Sequence, residues 1–356
     1  MRQTSHRRLR LAAALTVAGL GLMACGSSND TAQPQAPAAS AGASTAPKSD
    51  LKVGLAYDVA GRGDKSFNDA AAAGLDKAVA ELGVGKEELS PNAVGSDRGD
   101  NLRSLAEGGF DPIIAVGFAY ADSVKAVATD FPKVTFLIID DATVKLPNVK
   151  SLTFAEEQGS FLVGAAAALK SRTGNVGYIG GVETTLLKKF QAGFAAGAKQ
   201  VKPDITVQVK YLTQSPDFSG FNSPDKGRET AKGMYDAGAD VVYAAAGGSG
   251  TGVFQAALAS KTLAIGVDSD QYESVGDPKL QPVILTSMLK RVDVAVFQTL
   301  EKFATKQQIP AQTVFDLSVD GVGYSESGGF VADIKPMLEE LKAKIIAGSI
   351  KVPTTP

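Results

Sequence analysis

The chain has 356 residues with a formal net charge of −2, and 44% of them are hydrophobic and 21% are charged. At about 100–200 residues per domain, this length and composition indicate a soluble protein with two domains, and the charge gives no reason to expect nucleic acid as a partner. The only His is His6 and the only Cys is Cys25. The chain beyond position 25 therefore lacks the residues for a Ser-His-Asp triad, a Cys nucleophile or a His or Cys metal site, so we expect no catalytic residues, no metal and no cofactor.

Residues 1–24 have the pattern of a lipoprotein signal peptide. Four arginines lie among the first ten residues, and they precede an apolar run over 11–24 that is too short to span a bilayer. The run ends in Leu-Met-Ala-Cys-Gly, which resembles a bacterial lipobox and implies cleavage before Cys25 and acylation of that residue. Several acyl chains together anchor a protein stably, so we expect attachment to the outer face of the cell membrane through Cys25. A plain signal peptide followed by a chance cysteine is the alternative.

The folded part is predicted to begin at Leu51, after a tether. Residues 26–50 contain no Leu, Ile, Val or aromatic side chain, so they cannot form a core and are expected to be disordered. From Leu51 onward strand and helix patterns alternate, which is typical of parallel sheets covered by helices on both faces. The predicted strands are 53–57, 89–95, 112–116, 134–139, 149–154, 176–179, 205–211, 241–245, 263–267, 283–288 and 314–317. The predicted helices are 67–82, 101–108, 121–130, 157–171, 185–201, 224–237, 252–260, 292–305 and 334–346.

These elements form two α/β halves of similar size, which in an exported protein is typical of a bilobal solute-binding protein. We expect an α/β protein of the type I periplasmic-binding-protein fold, with two doubly wound parallel-sheet lobes joined by a hinge that closes on a ligand. Residues 51–155 and about 283–312 are assigned to lobe 1, and residues 156–282 and about 313–330 to lobe 2. Residues 331–356 form a last helix and tail whose lobe is undecided. Crossings between the lobes are expected at 153–157, 268–282 and 315–323.

The loop after the first strand is the first candidate for ligand contact. Ligands of open α/β sheets bind outside the carboxyl ends of the strands, and residues 64–69, Asp-Lys-Ser-Phe-Asn-Asp, lie at such a place. Phe67 offers a ring for stacking, or else it is a core aromatic of the first helical turn. Asn68 can donate and accept hydrogen bonds at once. We expect Phe67 and Asn68 to touch a flat, uncharged ligand, and residues 64–66 to shape the turn.

Four further strand ends carry candidate groups, and the plain alternative is that these are turn, capping or surface residues. Asp140 and Asp141 end one strand, but adjacent strand residues point to opposite faces, so at most one of them faces the cleft. The carboxylate of Asp268 can accept both hydroxyls of a cis-diol, and Lys290 can orient that carboxylate or donate to a hydroxyl. The glycine-rich residues 247–252 let backbone N–H groups approach a neutral ligand, or they are only a permissive turn. A dinucleotide site is disfavoured because this loop lies in the second half of the fold.

Several motifs taken together resemble those of one family. They are the lipobox, Ser-Phe-Asn at 66–68, Phe-Leu-Ile-Ile-Asp at 136–140, Gly-Ser-Phe-Leu-Val-Gly at 159–164, Phe-Gln-Ala-Gly-Phe at 190–194 and Gly-Val-Asp-Ser-Asp-Gln at 266–271. Residues 51–353 resemble the basic membrane protein family, whose members are substrate-binding lipoproteins of ABC transporters and include purine nucleoside receptors. The resemblance implies a non-catalytic receptor that captures nucleosides, purine nucleosides in particular, and delivers them to ABC permease subunits. We expect it to be a monomer.

The resemblance also implies ligand contacts for the strand-end residues. Phe67 is implied to stack on the base, and Asn68 and Asp140 to hydrogen-bond to its edge. Asp268 is implied to bind the ribose hydroxyls, with Lys290 beside it.

Three more residues are implied to line the same site. Asp58 belongs to the wall of lobe 1, and Gly247 approaches the sugar from lobe 2. Phe221 is implied to be the second aromatic, with Phe218 and Tyr243 as alternatives. Two other functions stay open at this point. One is the same fold binding a sugar or another small polar solute, and the other is a carboxylate-dependent exported hydrolase.

Overall fold

The computed structural model describes residues 49–356, and the expected signal peptide, Cys25 and nearly all of the expected tether lie outside the described residues. The strands are β1 (Lys52–Ala56), β2 (Gly85–Leu89), β3 (Ile113–Ala115), β4 (Phe136–Ile139), β5 (Val149–Phe154), β6 (Asn175–Glu183), β7 (Thr206–Gln214), β8 (Val241–Ala245), β9 (Leu263–Asp268), β10 (Ile284–Lys290), β11 (Gln312–Phe315) and β12 (Val322–Tyr324). The helices are α1 (Phe67–Leu82), α2 (Arg98–Glu107), α3 (Ala121–Asp130), α4 (Glu156–Lys170), α5 (Thr185–Val201), α6 (Pro224–Asp236), α7 (Gly250–Ser260), α8 (Gln271–Ser274), α9 (Val292–Ala304) and α10 (Lys335–Ile346). Within this range, no helix has both the length and the apolar character that a bilayer crossing requires.

The strands of residues 49–356 form two six-stranded sheets, and each sheet is the centre of one lobe. The sheet of lobe 1 has the order β11-β5-β4-β3-β1-β2, and all of its pairings are parallel. The sheet of lobe 2 has the order β12-β10-β9-β8-β6-β7, and it is parallel except for the pairing of β10 with β12. Central strands such as β4 and β8 are buried along their whole length because helices cover both faces. The predicted fold class of two parallel-sheet α/β lobes is therefore confirmed.

The chain crosses between the lobes at three places. After β5 of lobe 1 comes α4, which packs on α5 of lobe 2. After β10 of lobe 2 comes α9, which packs on α1 of lobe 1, and β11 of lobe 1 leads to β12 of lobe 2. The crossings predicted at 153–157 and 315–323 lie at the first and third of these places. The crossing predicted at 268–282 is wrong, because that segment contains α8 and leads to β10 without leaving lobe 2.

The predicted lobe assignments of β10 and β11 are also wrong. Met288 in β10 pairs with Val267 in β9, so β10 belongs to lobe 2. Thr313 in β11 pairs with Leu152 in β5, so β11 belongs to lobe 1. A hydrophobic pattern identifies a strand but does not identify its neighbour in the sheet, and the two strands were therefore exchanged. Helix α10, whose lobe the sequence left undecided, packs on α4 of lobe 2.

The second strand was predicted several residues too far along the chain. A strand is predicted at 89–95, whereas β2 ends at Leu89 and turns follow around Asn92. β2 lies at the edge of its sheet, where its first three residues are exposed and its last two, Glu88 and Leu89, are half-buried, so it lacks the alternation that marks a strand with one buried face. The three-residue β12 and the four-residue α8 were not predicted, because such short segments carry too little pattern.

Helices α4 and α5 pack closely because glycines lie at their contact. A Cβ atom added at Gly193 would lie 2.1 Å from the carbonyl oxygen of Glu157, and one added at Gly197 would lie 1.9 Å from that of Phe161. No side chain fits at such distances, so the two backbones can touch only where glycine is present. This packing holds Glu156, the first residue of α4, beside the first crossing.

Candidate ligand-binding site

A cavity lies between the two lobes at the carboxyl ends of their strands, and we refer to it as the cleft cavity. It holds about 570 Å³ of space free of protein atoms, and this figure includes space that is open to solvent. The eight residues that the sequence analysis assigned to ligand binding all line it: Asp58, Phe67, Asn68, Asp140, Phe221, Gly247, Asp268 and Lys290. The other lining residues are Val59, Asp64, Gly117, Phe118, Leu186, Leu187, Phe190, Ala245 and Val267.

Asp64 organises the loop between β1 and α1. Its carboxylate oxygens accept hydrogen bonds from the backbone N–H groups of Ser66, Asn68 and Asp69 at 2.9–3.1 Å. N–H groups at the start of a helix have no acceptor within the helix, and the carboxylate supplies one. Burial raises the pKa of Asp64, and these backbone hydrogen bonds oppose the rise. Asp64 therefore shapes the turn and begins the helix, as the sequence analysis expected.

Asn68 stabilises the same loop and does not present a free amide. Its Oδ1 accepts a hydrogen bond from the backbone N–H of Asp58 at 2.9 Å. Its Nδ2 donates to Asp64 Oδ2 at 3.0 Å and to the carbonyl oxygen of Val59 at 3.3 Å. Both amide hydrogens are therefore engaged within lobe 1, and one lone pair of Oδ1 is left. The expectation that this amide both donates to and accepts from a ligand is corrected: only the accepting role remains.

Asp58 forms a buried ion pair with Arg98. Nη2 of Arg98 lies 2.8 Å from Asp58 Oδ1, and the side chains are 7% and 9% exposed, so water screens the pair weakly. Burial raises the pKa of Asp58, and Arg98 opposes the rise. The guanidinium carbon of Arg98 also lies 5.4 Å from the ring centre of Phe218, which belongs to lobe 2. Arg98 thus contacts both a wall of the cavity and the opposite lobe.

Lys290 is the centre of a buried charge cluster. Its ammonium group contacts a carboxylate oxygen of Asp140 and lies 3.8 Å from an oxygen of Glu156. It also lies 4.7 Å from the ring centre of Phe67, which is within the range of a cation–π interaction. Burial lowers the pKa of Lys290, but the charges of Asp140, Glu156 and Asp268 outweigh burial and raise it. The expectation that Lys290 orients Asp268 is corrected, because its direct partners are Asp140 and Glu156.

Asp140 keeps one carboxylate oxygen without a partner. Oδ2 contacts Lys290, whereas Oδ1 is buried and makes no hydrogen bond within residues 49–356. A buried oxygen in that state costs free energy, so a donor group brought to it would be stabilising. Asp141 accepts hydrogen bonds from the backbone and side chain of Thr143 at the surface. Of the two adjacent aspartates only Asp140 lines the cavity, in agreement with the alternation argument.

Asp268 reaches the cavity from lobe 2 and contacts lobe 1. It ends β9 in the left-handed region with φ +64°, and its Oδ2 accepts a hydrogen bond from Ser66 Oγ at 2.6 Å. Burial raises the pKa of Asp268 to about 6, and the charge of Lys290 and the hydrogen bond from Ser66 oppose the rise. Its Oδ1 makes no hydrogen bond to any residue that the structure describes. One oxygen of this carboxylate thus joins the lobes, and the other is available.

Phe221 and Gly247 form part of the wall from lobe 2. The ring of Phe221 packs on the backbone of Gly181, where an added Cβ atom would lie 2.4 Å from the ring. Gly247 has φ +54°, and its added Cβ atom would lie 3.0 Å from the carbonyl oxygen of Phe221, so glycine fits best there. Of the two alternatives to Phe221, Phe218 is not a lining residue but contacts Phe118 of lobe 1, and Tyr243 is buried in the core. Only Phe221 of the three candidates lines the cavity.

Two kinds of residue at this site were not predicted from the sequence. Phe118 and Phe190 line the cavity, and signals for both were present: Phe118 follows β3 and Phe190 lies in the motif at 190–194. Arg98 and Glu156 lie behind the lining and pair with Asp58 and Lys290. No local signal identifies these two, because their partners are far away along the chain.

The chain is similar to known proteins over nearly its whole length. Residues 51–356 match the family model described as ABC transporter substrate-binding protein PnrA-like, the Bmp family. A CD4+ T-cell-stimulating antigen of Listeria monocytogenes is 36% identical over 98% of this chain and 99% of its own length. The ABC transporter nucleoside-binding protein BmpA of Lactococcus lactis is 35% identical over 86% of this chain and 90% of its own. Basic membrane protein A of Borreliella burgdorferi is 30% identical over 82% and 84%.

Solved structures agree with the family match. An ABC transporter solute-binding protein of Aeropyrum pernix has 28% identity and a TM-score of 0.74, covering 85% of this chain and 93% of its own. A solute-binding protein of Conexibacter woesei, at 23% identity and a TM-score of 0.68, shares the fold. The expected type I periplasmic-binding-protein fold is therefore confirmed, and the protein binds a substrate and is not an enzyme, which removes the hydrolase alternative. The chain belongs to the PnrA-like, or basic membrane protein, family of ABC transporter substrate-binding proteins.

Proposed function

We propose that this protein captures nucleosides, purine nucleosides in particular, in the cleft cavity. The observation that carries the proposal is a combination of groups in one cavity: two phenylalanine rings, Phe67 and Phe221, together with Asp140, whose buried Oδ1 has no partner within the described residues. Stacking on an aromatic ring contributes about 1–3 kcal/mol per base. A carboxylate oxygen is a suitable acceptor for an N–H group on the edge of a base. The name of the Lactococcus lactis relative supports the same ligand class.

Asp268 is the residue that we assign to the sugar. Its Oδ2 is engaged by Ser66, so Oδ1 is the atom that accepts a ribose hydroxyl. Lys290 lies on the same wall, and Gly247 lets the chain of lobe 2 approach the ligand without a side chain between them.

The charge of the cavity favours an uncharged ligand. Asp58, Asp64, Asp140 and Asp268 line it together with a single ammonium group, that of Lys290. Arg98 compensates Asp58 from behind the lining. The remaining excess of carboxylates repels phosphate groups, whereas a nucleoside carries no charge to be repelled.

Delivery to an ABC permease is the second half of the proposal. Family membership supports a permease as the partner that receives the ligand. The lipobox around Cys25 supports a lipid anchor that keeps the monomeric receptor on the outer face of the cell membrane.

Calorimetric titration of the purified protein tests the ligand class. We expect inosine, guanosine or adenosine to bind at micromolar or lower concentration, and free ribose and the free base to bind more weakly.

Phe67→Ala should weaken nucleoside binding by about 5- to 150-fold, because it removes one stacking contact. Phe131→Ala is a matched control, because Phe131 is also a half-buried phenylalanine of lobe 1 and does not line the cavity. Absence of binding to any nucleoside at millimolar concentration would contradict the proposal, and tight binding of a sugar would favour the sugar alternative.

A further inference from the structure

The loop before α1 in lobe 1 is tied to the segment around α8 in lobe 2. Ser269 Oγ donates a hydrogen bond to the carbonyl oxygen of Ser66 at 2.9 Å. Gln271 Nε2 and Ser274 Oγ donate to the carbonyl oxygen of Lys65 at 3.1 Å and 3.2 Å. We refer to these three hydrogen bonds as the interlobe latch. They join the two motifs that the sequence analysis singled out at 64–69 and 266–271.

The loop that carries the two acceptor carbonyl groups of the latch is fixed by hydrogen bonds within lobe 1. Lys65 has φ +59°, and its N–H group donates to Asp69 Oδ2 at 3.0 Å. The N–H group of Ser66 donates to Asp64 Oδ1 at 2.9 Å. The N–H groups of this loop are thus engaged within lobe 1, while the two carbonyl oxygens accept from lobe 2. The loop is therefore already arranged to accept the latch when the lobes meet.

The donor side is held by lobe 2. Gln271 Oε1 accepts a hydrogen bond from the N–H group of Val267 at 2.9 Å, and the Gln271 N–H group donates to Ser287 Oγ at 3.0 Å. A Cβ atom added at Gly266 would lie 2.6 Å from Gln271 Oε1, so glycine leaves room for this side chain. Gln271 is fixed within lobe 2 in the position from which Nε2 reaches Lys65.

None of the three donors lines the cleft cavity, so their effect on a ligand is indirect. We propose that Ser269, Gln271 and Ser274 are positioning residues that set the affinity and residence time of the ligand by stabilising the closed arrangement of the lobes. Opening of the hinge separates the lobes and breaks all three bonds, whereas bonds within one lobe persist. Whatever stabilises the closed state alone raises the apparent affinity of a ligand that the closed state retains. The inference rests on the proposed function only because a nucleoside serves as the probe.

The double variant Ser269→Ala/Ser274→Ala tests the inference without altering the cavity lining or the internal bonds of Gln271. Ser327→Ala is the matched control: Ser327 Oγ donates to Asp270 Oδ2 at 2.6 Å, which is a serine bond within lobe 2. The full chain in detergent is mixed with inosine in a stopped-flow instrument, and association and dissociation are followed separately. Two lost hydrogen bonds predict a dissociation rate about 5- to 150-fold higher in the double variant, with an association rate within about threefold of wild type. The control should stay within about twofold in both rates.

A second measurement does not depend on the ligand. Small-angle X-ray scattering of the ligand-free protein should give a larger radius of gyration for the double variant than for wild type and the control, because fewer bonds hold the lobes together. Unchanged dissociation rates, or equal changes in the control, would overturn the latch. So would a ligand-free radius of gyration that is the same in all three proteins. Failure of wild type to bind inosine would contradict the proposed function instead, and the scattering comparison would then decide the latch alone.

Discussion

The Nζ atom of Lys290 lies 3.8 Å from a carboxylate oxygen of Glu156, and the two residues stand at two of the three crossings between the lobes. Glu156 begins α4 directly after the first crossing, and Lys290 ends β10 directly before the second. Burial raises the pKa of Glu156, and the charge of Lys290 opposes the rise. Lys290 also contacts Asp140, so one buried cluster connects the hinge to the cavity.

Loss of the ammonium group should destabilise the folded protein strongly. Lys290→Met leaves two buried carboxylates, Asp140 and Glu156, without their shared cation, which predicts a loss of about 3–5 kcal/mol in the free energy of unfolding. Urea denaturation of the ligand-free protein measures it. Lys189→Met is the control, because Lys189 lies 3.4 Å from the same carboxylate of Glu156 but is one-third exposed. Loss of an ion pair that water reaches should lower the free energy of unfolding by less than about 1 kcal/mol. Equal losses in the two variants would show that the cluster does not depend on Lys290.

The raised pKa of Asp268 predicts a stability that depends on pH. Because the folded protein binds this proton more tightly than the unfolded chain, the stability contributed by Asp268 is complete below its unfolded pKa of about 3.9 and is lost as the pH rises through about 6. The amide of Asp268→Asn does not titrate. As the pH rises from 4 to 8, the free energy of unfolding of this variant should therefore increase by roughly 3 kcal/mol relative to that of wild type. Denaturation of both proteins across this range measures the difference. Asp217→Asn is a control of opposite sign, because hydrogen bonds from Ser219 lower the pKa of Asp217. The free energy of unfolding of this variant should decrease relative to that of wild type as the pH rises.

Asp268 should also allow the protein to distinguish ribose from sugars that lack the ribose hydroxyls. Wild type is expected to bind inosine about 10- to 150-fold more tightly than 2′,3′-dideoxyinosine, because a hydrogen bond to a charged acceptor is lost with the hydroxyls. In Asp268→Asn that ratio should fall toward one, mainly through weaker binding of inosine. Calorimetric titration of both ligands into both proteins gives the ratio. A ratio that the substitution leaves unchanged would assign the hydroxyls to another residue.

Replacing a glycine by alanine should have opposite effects at the contact between α4 and α5 and at an exposed helical position. Gly197→Ala places a methyl group 1.9 Å from the carbonyl oxygen of Phe161 and should destabilise the protein by about 3 kcal/mol or more. Gly233→Ala, in an exposed position of α6 with nothing within 4 Å of the new methyl group, should stabilise it by about 0.5–1 kcal/mol. Thermal and urea unfolding of both variants check the two signs. A loss at both positions would point to the helix backbone and not to the contact.

The sequence predicted most elements of the fold, because each has its own local signal. α1 begins and ends where the pattern placed it, with Phe67 directly after the residues that shape the turn and Gly83 after its last turn. The exchange of β10 and β11 has a different origin. Sheet neighbours are decided by the packing of the whole lobe, which the pattern of a single strand does not reveal.

The lining of the cavity was predictable for a related reason. Asp268 ends a parallel strand, Asp140 directly follows one and Asp58 lies two residues beyond one, and parallel strands bring their carboxyl ends to one edge. What the residue types could not reveal is how their hydrogen-bonding capacity is used. Asn68 has the chemistry of a ligand contact, but its amide hydrogens bind inside its own lobe. Lys65 and Ser66 were expected only to shape a turn, yet their carbonyl oxygens accept bonds from the other lobe.

The pairing of β11 with β5 has a consequence for how the chain becomes a folded molecule. Thr313 and Leu152 are neighbours in the sheet, although almost all of lobe 2 is synthesised between them. Lobe 1 thus cannot reach its complete hydrogen-bonded form during synthesis until lobe 2 has nearly left the ribosome or the export channel. Contacts of such large sequence separation slow folding. A chain cut before residue 312 lacks the edge strand of its N-terminal lobe as well as the C-terminal part of the other, so neither lobe can be obtained intact as one continuous fragment.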